Sequence, residues 1–297
     1  MLELSTRPRD RAAVLCAALL FSTGGAAIKA SSMSAFQTAS FRSGLAAVVL
    51  ILFIPSARRG WRLSTVAVGI AYAATLVLFV VSNTMTTAAN TVILQGTAPL
   101  YVLLLGPFLL GERVRARDIV FLAMLGTGGY LILTSSTPAV VTAPRPDLGN
   151  LLAAATGLTF ALTIMGLRQL GRHHASNRAP AAVAVGNLIA FAVCLPFALP
   201  VEGAGRADWL AVTYLGVVQV GVAYVFLTYG MRRVSAFDSS LLLLVEPVLN
   251  PVWAYLMHHE IPTGATVVGG CLILGATAMK TIVDHRGDRN RRHSSER

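Results

Sequence analysis

The chain has 297 residues, of which 55% are hydrophobic and 12% are charged, and its formal net charge is +11. Soluble domains carry roughly 25% charged residues, so this composition excludes an ordinary soluble protein. The charges lie in short gaps between apolar runs of about 20 residues, and a run of that length crosses the hydrocarbon core of a bilayer as an α-helix.

Ten apolar runs are predicted to be transmembrane helices. In chain order they are residues 12–30, 36–54, 65–82, 88–110, 118–134, 149–167, 181–199, 209–230, 237–257 and 263–283. A cleaved signal peptide is the alternative for the first run, because arginines precede it and small residues end it. The internal duplication described below favours retention of this run, since two equal halves require it.

The first three runs carry candidate binding residues. Lys29 closes the first run, and Arg42 lies six residues inside the second. These two cations flank the first outer loop, where they either attract a carboxylate near the outer mouth or extend to lipid headgroups. Tyr72, Phe79 and Asn83 lie along a stripe of the third run, and this spacing predicts that they line a substrate cavity.

The fourth run contains Pro99 near its middle. A proline at this point leaves the carbonyl oxygen of Gln95 without its helical partner and kinks the helix. Free backbone groups are tolerated at that depth only where protein or a polar cavity satisfies them. Gln95 is therefore a candidate binding residue and Pro99 a candidate gating residue, with a simple packing kink as the alternative.

Residues 135–148 form the most proline-rich connection in the chain and predict an external linker. It separates two five-helix repeats, 12–134 and 149–283. Residues 1–11 are predicted to be a cytoplasmic N-terminal segment, and residues 284–297 a basic cytoplasmic tail.

In the second repeat, Thr163 and Tyr224 lie on polar stripes of the sixth and eighth runs. Both are candidate binding residues, although a threonine can also bond within its own helix.

Glu246, in the ninth run, is the only acidic residue near the centre of any run. An ionisable group at that depth costs at least about 3 kcal/mol, so it is predicted to couple protons, to pair with a substrate amine, or to be satisfied as a structural group. Asn250 and Trp253 share its helix face, which suits an amino acid or a similar amphiphile. Contacts between helices are the alternative for Asn250. Pro247 is a second candidate gating proline.

Pro99 and Pro247 each lie 13 residues before a glutamate, Glu112 and Glu260, and the two prolines are 148 residues apart. This doubled spacing indicates a duplication. Because each half holds five runs, an odd number, the second half enters the membrane with the opposite orientation. The predicted fold is an all-α polytopic membrane protein, with ten transmembrane helices as two inverted five-helix repeats, an architecture typical of secondary transporters.

The basic residues are distributed asymmetrically. If the N-terminus is cytoplasmic, 20 of the 24 lysines and arginines lie on the cytoplasmic side, and the exceptions are Lys29, Arg42, Arg145 and Arg206. This asymmetry predicts that both termini are cytoplasmic, and it explains the net charge without a nucleic-acid partner. The dispersed cysteines and the compact His258-His259-Glu260 sequence predict no metal site. No phosphate-binding glycine loop is present, so no nucleotide cofactor is expected.

Several sequence elements together suggest a family. They are the mid-run prolines, Gly111-Glu112, the sequence LVEPVLNP at 244–251, Ala27-Ile28-Lys29 and Phe41-Arg42. In these elements the chain resembles the EamA-type members of the drug/metabolite transporter superfamily, over residues 12–283. The resemblance implies two five-helix repeats that carry amino acids, other small metabolites or amphiphilic drugs, commonly outward. One departure is His259, which replaces the glycine of the first copy and puts a tight turn there in question.

The predicted function is secondary export of small metabolites, most of all amino acids, by alternating access around a midplane site. The small-molecule substrate and the lipid bilayer are the expected partners, in a bacterial inner membrane, and proton coupling and a homodimer are further hypotheses. Export of amphiphilic drugs or other metabolites is the alternative. A membrane-embedded enzyme or a non-transporting scaffold belongs to a different class, and the enzyme would need reactive groups at depth beyond Glu246.

Overall fold

The computed structural model describes residues 8–111, 116–136, 138–172, 178–231, 233–234 and 236–295. Glu112, which closes the first copy of the proline–glutamate spacing, lies outside the described residues. Within the described part of the chain every extended regular element is a helix, and a single isolated bridge joins Val140 to Ala143 in the central linker.

Within the described residues, ten helical segments follow one another, and we label them α1 to α10. They are α1 (Pro8–Ser22 and Gly24–Lys29), α2 (Ala35–Phe53), α3 (Leu63–Met85), α4 (Ala88–Gln95 and Ala98–Leu110), α5 (Ala116–Thr134), α6 (Pro146–Arg172), α7 (Ala179–Ala198), α8 (Arg206–Thr213, Tyr214–Val222 and Ala223–Gly230), α9 (Ala236–Leu243 and Val245–His258) and α10 (Gly264–Ser295). A short 3-10 helix, Pro55–Arg58, follows α2. Among the described residues, nine segments are long and apolar enough to cross a membrane, and α5 contributes a shorter apolar helix. The predicted all-α polytopic fold is confirmed.

The packing of the helices repeats between the two halves. The helix α3 packs on α6 and α7 in the way that α8 packs on α1 and α2, and α4 packs on α6 as α9 packs on α1. Two further contacts, α2 with α7 and α5 with α10, join equivalent helices of the two halves. Two intertwined five-helix repeats of opposite orientation produce this pattern, and the predicted inverted repeat is confirmed.

The helices α4 and α9 are both interrupted just before their prolines. The first piece of α4 ends at Gln95 and the second begins at Ala98, while α9 is interrupted at Leu244. Pro99 and Pro247 consequently lie in the first turn of a new helix, where a missing backbone N–H costs no helical hydrogen bond. Each proline therefore marks the restart of a helix inside a membrane-spanning segment.

The same two helices end in the same backbone conformation. Gly111 follows α4 with φ of 67°, and His259 follows α9 with φ of 54°. Both values are left-handed, the usual conformation for the residue that terminates a helix, and histidine adopts it more readily than most residues other than glycine. The tight turn that the sequence put in question at His259 is present.

The glycines of α5 and α10 form a close contact inside the chain. A Cβ atom on Gly128 would lie 2.7 Å from the Gly269 carbonyl oxygen, and one on Gly269 would lie 2.6 Å from the Gly128 carbonyl oxygen. Gly126 and Gly275 have no described atom within 4 Å of such a Cβ. The Gly128–Gly269 pair thus joins the two halves within one chain. This contact does not test the predicted homodimer, which stays a prediction.

Candidate functional site

A cavity of about 1010 Å³ opens between the connection from α2 to α3 and the facing ends of α6, α7 and α8. Its mouth carries Arg59, Arg168 and Arg178, so it belongs to the arginine-rich side of the protein. Both repeats contribute to its wall. Ile164 of α6 and Tyr224 of α8 are the lining residues that lie furthest from the mouth-side ends of their helices, and they mark the inner end of the cavity. The volume is that of a site for a small metabolite.

An aromatic cluster lies at this inner end. The ring of Tyr224 contacts the ring of Tyr72 edge to face, with centroids 6.2 Å apart, and the ring of Phe21 in the same manner at 5.2 Å. Tyr72 is buried and also lies beside Asn187 of α7. Helices α1, α3, α7 and α8 therefore converge at the pair Tyr72–Tyr224.

Glu246 lies within electrostatic range of the same tyrosine pair. It lies in the first turn of the second piece of α9, where the helix N-terminus favours a negative charge, and it interacts electrostatically with both tyrosines. The side chain is half-buried. Among the described residues, no cation pairs with its carboxylate. A group of this kind is available to a substrate amine or to a proton.

Arg42 approaches the tyrosine pair from α2. Its guanidinium interacts electrostatically with Tyr72 and Tyr224, and the residue is 4% exposed. Arg42 lies seven residues after Ala35, which is about 10 Å along the helix, and so it lies closer to the middle of α2 than to the outer mouth. The π-helical piece of α8 packs on its backbone, where a Cβ on Gly216 would lie 2.7 Å from the Arg42 carbonyl oxygen.

Lys29 and Glu260 form a buried ion pair at the opposite end of the molecule. The Lys29 Nζ atom lies 2.9 Å from Glu260 Oε1, and the two side chains are 3% and 4% exposed. Lys29 Nζ also donates to the carbonyl oxygens of Thr86 and Thr142, and Glu260 accepts from the Ala88 backbone N–H at 2.9 Å. The pair joins α1, α4, the central linker and the connection from α9 to α10.

The other predicted residues of α9 make their contacts with α1. The Trp253 indole N–H donates to Ser22 Oγ at 2.9 Å. Asn250 is fully buried and lies so close to Gly25 that a Cβ there would be 2.7 Å from its Oδ1 atom. Within the described residues, neither side-chain atom of Asn250 has a hydrogen-bond partner. Both residues share the face that α9 presents to α1.

Four more predicted residues lie on α3, α4 and α6. Thr163 donates to the carbonyl oxygen of Thr159 in its own helix, and Phe79 packs in an apolar cluster of α1, α2, α3, α7 and α8. Asn83 is fully buried, without a partner among the described residues, and Gln95 is half-buried at the interruption of α4. The structure thus brings together Tyr72, Tyr224, Glu246 and Arg42.

Two polar residues at the site were not among the predicted site residues. Asn187 contacts Tyr72, and a lone asparagine in the otherwise apolar α7 was the available sequence signal. Gln219 lies in the π-helical piece of α8 and donates to the Phe21 carbonyl oxygen at 3.2 Å. The flanking Gly216 and Gly221 indicate close packing in the sequence. The spacing of side chains does not predict a π-helix, so the position of Gln219 could not be predicted.

Ten helices in two inverted repeats, with a cavity that leads to buried ionisable groups, define a polytopic membrane transporter. Both halves match the sequence model of the EamA-like transporter family, at residues 12–134 and 147–281. The chain belongs to this family. It is an integral membrane transporter of small molecules and not an enzyme.

The chain is also similar to individual proteins. It is 28% identical to the aromatic amino acid exporter YddG of Ancylobacter novellus, over 63% of this chain and 65% of that protein. It is 27% identical to the pseudopaline exporter CntI of Pseudomonas aeruginosa, over 88% of this chain and 91% of that protein. A crystal structure with 23% identity has a TM-score of 0.59 and covers 94% of this chain and 99% of its own, which supports the fold alone.

Proposed function

We propose that this protein is a secondary exporter of small metabolites, most of all amino acids, and that it alternates access around the site at Tyr72, Tyr224 and Glu246. The observation that carries the proposal is the one-sided opening of the protein. A wide cavity reaches Tyr224 from the arginine-rich side, while the ion pair Lys29–Glu260 closes the opposite side. A carrier exposes its site to one side at a time.

Further hydrogen bonds stabilise the closed side. Asp208, in the first turn of α8, accepts hydrogen bonds from the Ser32 backbone N–H at 2.6 Å and from Ser31 Oγ at 3.3 Å. The Arg145 backbone N–H of the linker donates to the Met85 carbonyl oxygen at 3.1 Å. These contacts hold the loop between α1 and α2 and the central linker against the transmembrane helices.

The charge distribution supports a cytoplasmic position for the open side, because the connections at the mouth carry the arginines that the positive-inside rule places there. In this proposal both termini are cytoplasmic, and the membrane is the inner membrane of a bacterium. Substrate then reaches the site from the cytoplasm and leaves when the outer side opens. Export is the proposed direction, because the relatives YddG and CntI are named exporters.

The chemistry of the site supports amino acids as substrates. Aromatic rings and a carboxylate suit a ligand with an apolar part and an amine, and the relative YddG is named an aromatic amino acid exporter. In this proposal Glu246 faces the amine or carries the coupling proton, with Tyr72, Tyr224 and Arg42 as the neighbouring titratable groups. Other metabolites are the second candidate, because the relative CntI is named a pseudopaline exporter. Amphiphilic drugs belong to the same alternative.

Counterflow in proteoliposomes tests this proposal. We expect the wild type to exchange labelled threonine, methionine or phenylalanine, and Glu246→Gln to lose exchange or its pH dependence, because the amide neither holds an amine by charge nor releases a proton. Glu202→Gln, a change at an exposed loop residue, serves as the control and keeps both properties. Absence of exchange for all three amino acids in the wild type would contradict the amino-acid assignment, and unchanged behaviour of Glu246→Gln would remove Glu246 from the mechanism.

A further inference from the structure

Arg42 is a buried cation without a partner among the described residues. Among the described residues, its Nε and Nη1 atoms have no hydrogen-bond acceptor, and no carboxylate lies within ion-pair distance of its guanidinium. An unpaired buried charge is costly, and removing the partner of a buried ion is strongly destabilising. A protein that retains such a charge therefore has a use for it.

The surroundings of Arg42 are those of a ligand site. Arg42 and Glu246 interact electrostatically with the same tyrosine pair, and one member, Tyr224, also lines the cavity. Arg42 and Glu246 do not pair with each other, although both approach the same two side chains. The site thus holds one positive and one negative group that do not neutralise each other, and a bound ligand can neutralise both.

We propose that Arg42 binds a carboxylate of the transported substrate. This role restricts the substrates to carboxylates. If Glu246 binds an amine of the same molecule, the substrates are zwitterions. The guanidinium presents a planar fork of donors that matches a carboxylate. The assignment rests on the proposed function, because it uses the same site and the same route from the cavity. The arginines at the mouth, Arg59, Arg168 and Arg178, would also attract an anionic group toward the cavity.

Ligand pairs that differ in a single charge test this assignment. Threonine, methionine and phenylalanine are each compared with their α-amides, which lack the carboxylate, and with their deaminated acids, which lack the amine. Binding to the purified full-length protein is measured by thermal shift and by competition against counterflow. We expect each amide to bind the wild type about tenfold to a hundredfold more weakly than its amino acid.

Substitutions at Arg42 then show whether this residue causes the preference. In Arg42→Gln we expect amino acid and amide to bind equally, in Arg42→Lys a partial preference, and in Arg62→Gln, an exposed arginine, the wild-type preference. A merely structural role would lower the yield of folded protein and leave the ratio of the two affinities unchanged. That unchanged ratio would overturn the assignment.

The outcomes separate this inference from the proposed function. If no amino acid binds but the deaminated acids bind the wild type and not Arg42→Gln, Arg42 is a carboxylate site and the amino-acid proposal fails. If Arg42→Gln does not fold, the ratio of amino-acid to amide affinity is compared between the wild type and Arg42→Lys, and this comparison decides whether Arg42 binds the carboxylate. Equal binding of amino acids and amides by the wild type would overturn the role of Arg42 without any variant.

Discussion

Two lysines of this protein form ion pairs of the same length in different surroundings. Lys29 lies 2.9 Å from Glu260 with both side chains almost fully buried, and Lys280 lies 2.9 Å from Asp118 with a lysine side chain that is 22% exposed. Lys280 also pairs with Asp284 at 3.0 Å. Breaking a buried pair leaves an uncompensated charge, whereas water screens a partly exposed one. Only the first pair closes one side of the protein.

We therefore expect Lys29→Met to destabilise the protein by about 3–5 kcal/mol and Lys280→Met to destabilise it less, because the Lys280 side chain is partly exposed although Asp118 is only 6% exposed. The double variant Lys29→Met/Glu260→Gln recovers part of the loss, because it leaves no isolated charge. The measurement is the unfolding of the purified protein in detergent. Equal losses of unfolding free energy for the two single variants would show that burial does not increase the contribution of the Lys29–Glu260 pair to stability.

Among the described residues, four helices are interrupted or contain a π-helical piece, and three of them, α1, α8 and α9, approach the site. α1 is divided at Thr23, α4 before Ala98 and α9 at Leu244, and α8 contains the π-helical piece Tyr214–Val222. Interrupted helices expose backbone groups that only protein or a polar cavity satisfies. The prolines of α4 and α9 made two of these interruptions predictable. The other two have no marker in the spacing of side chains.

The contact between α5 and α10 gives a prediction at the scale of elements. Gly128→Ala places a Cβ 2.7 Å from the backbone of α10, and such overpacking costs about 1–3 kcal/mol. Gly126→Ala, on the same helix, meets nothing within 4 Å, and its higher helix propensity gains up to about 1 kcal/mol. Thermal unfolding of both variants is the measurement. A loss in Gly126→Ala as large as that in Gly128→Ala would contradict this packing.

At the scale of the whole molecule, the sequence predicted the repeating parts and missed the pairings between them. Run lengths and the doubled proline spacing predicted ten helices in two inverted repeats, because length and hydrophobicity are local properties. The pairing of Lys29 with Glu260 joins residues from opposite ends of the chain, and no local pattern encodes it. The approach of Arg42 and Glu246 to one tyrosine pair likewise depends on how α2, α3, α8 and α9 pack.

The most direct test of the central claim, that the two sides open in alternation, is a pair of distances measured by pulsed electron paramagnetic resonance. Spin labels at Ser32 and Ile261 report the closed side, and labels at Arg59 and Met231 report the cavity mouth; all four residues are exposed, and Cys16, Cys194 and Cys271 are first replaced by alanine. We predict two populations in which the first distance lengthens as the second shortens, with proportions that shift when a transported amino acid is added. Distances that stay fixed, or that lengthen together, would contradict alternating access.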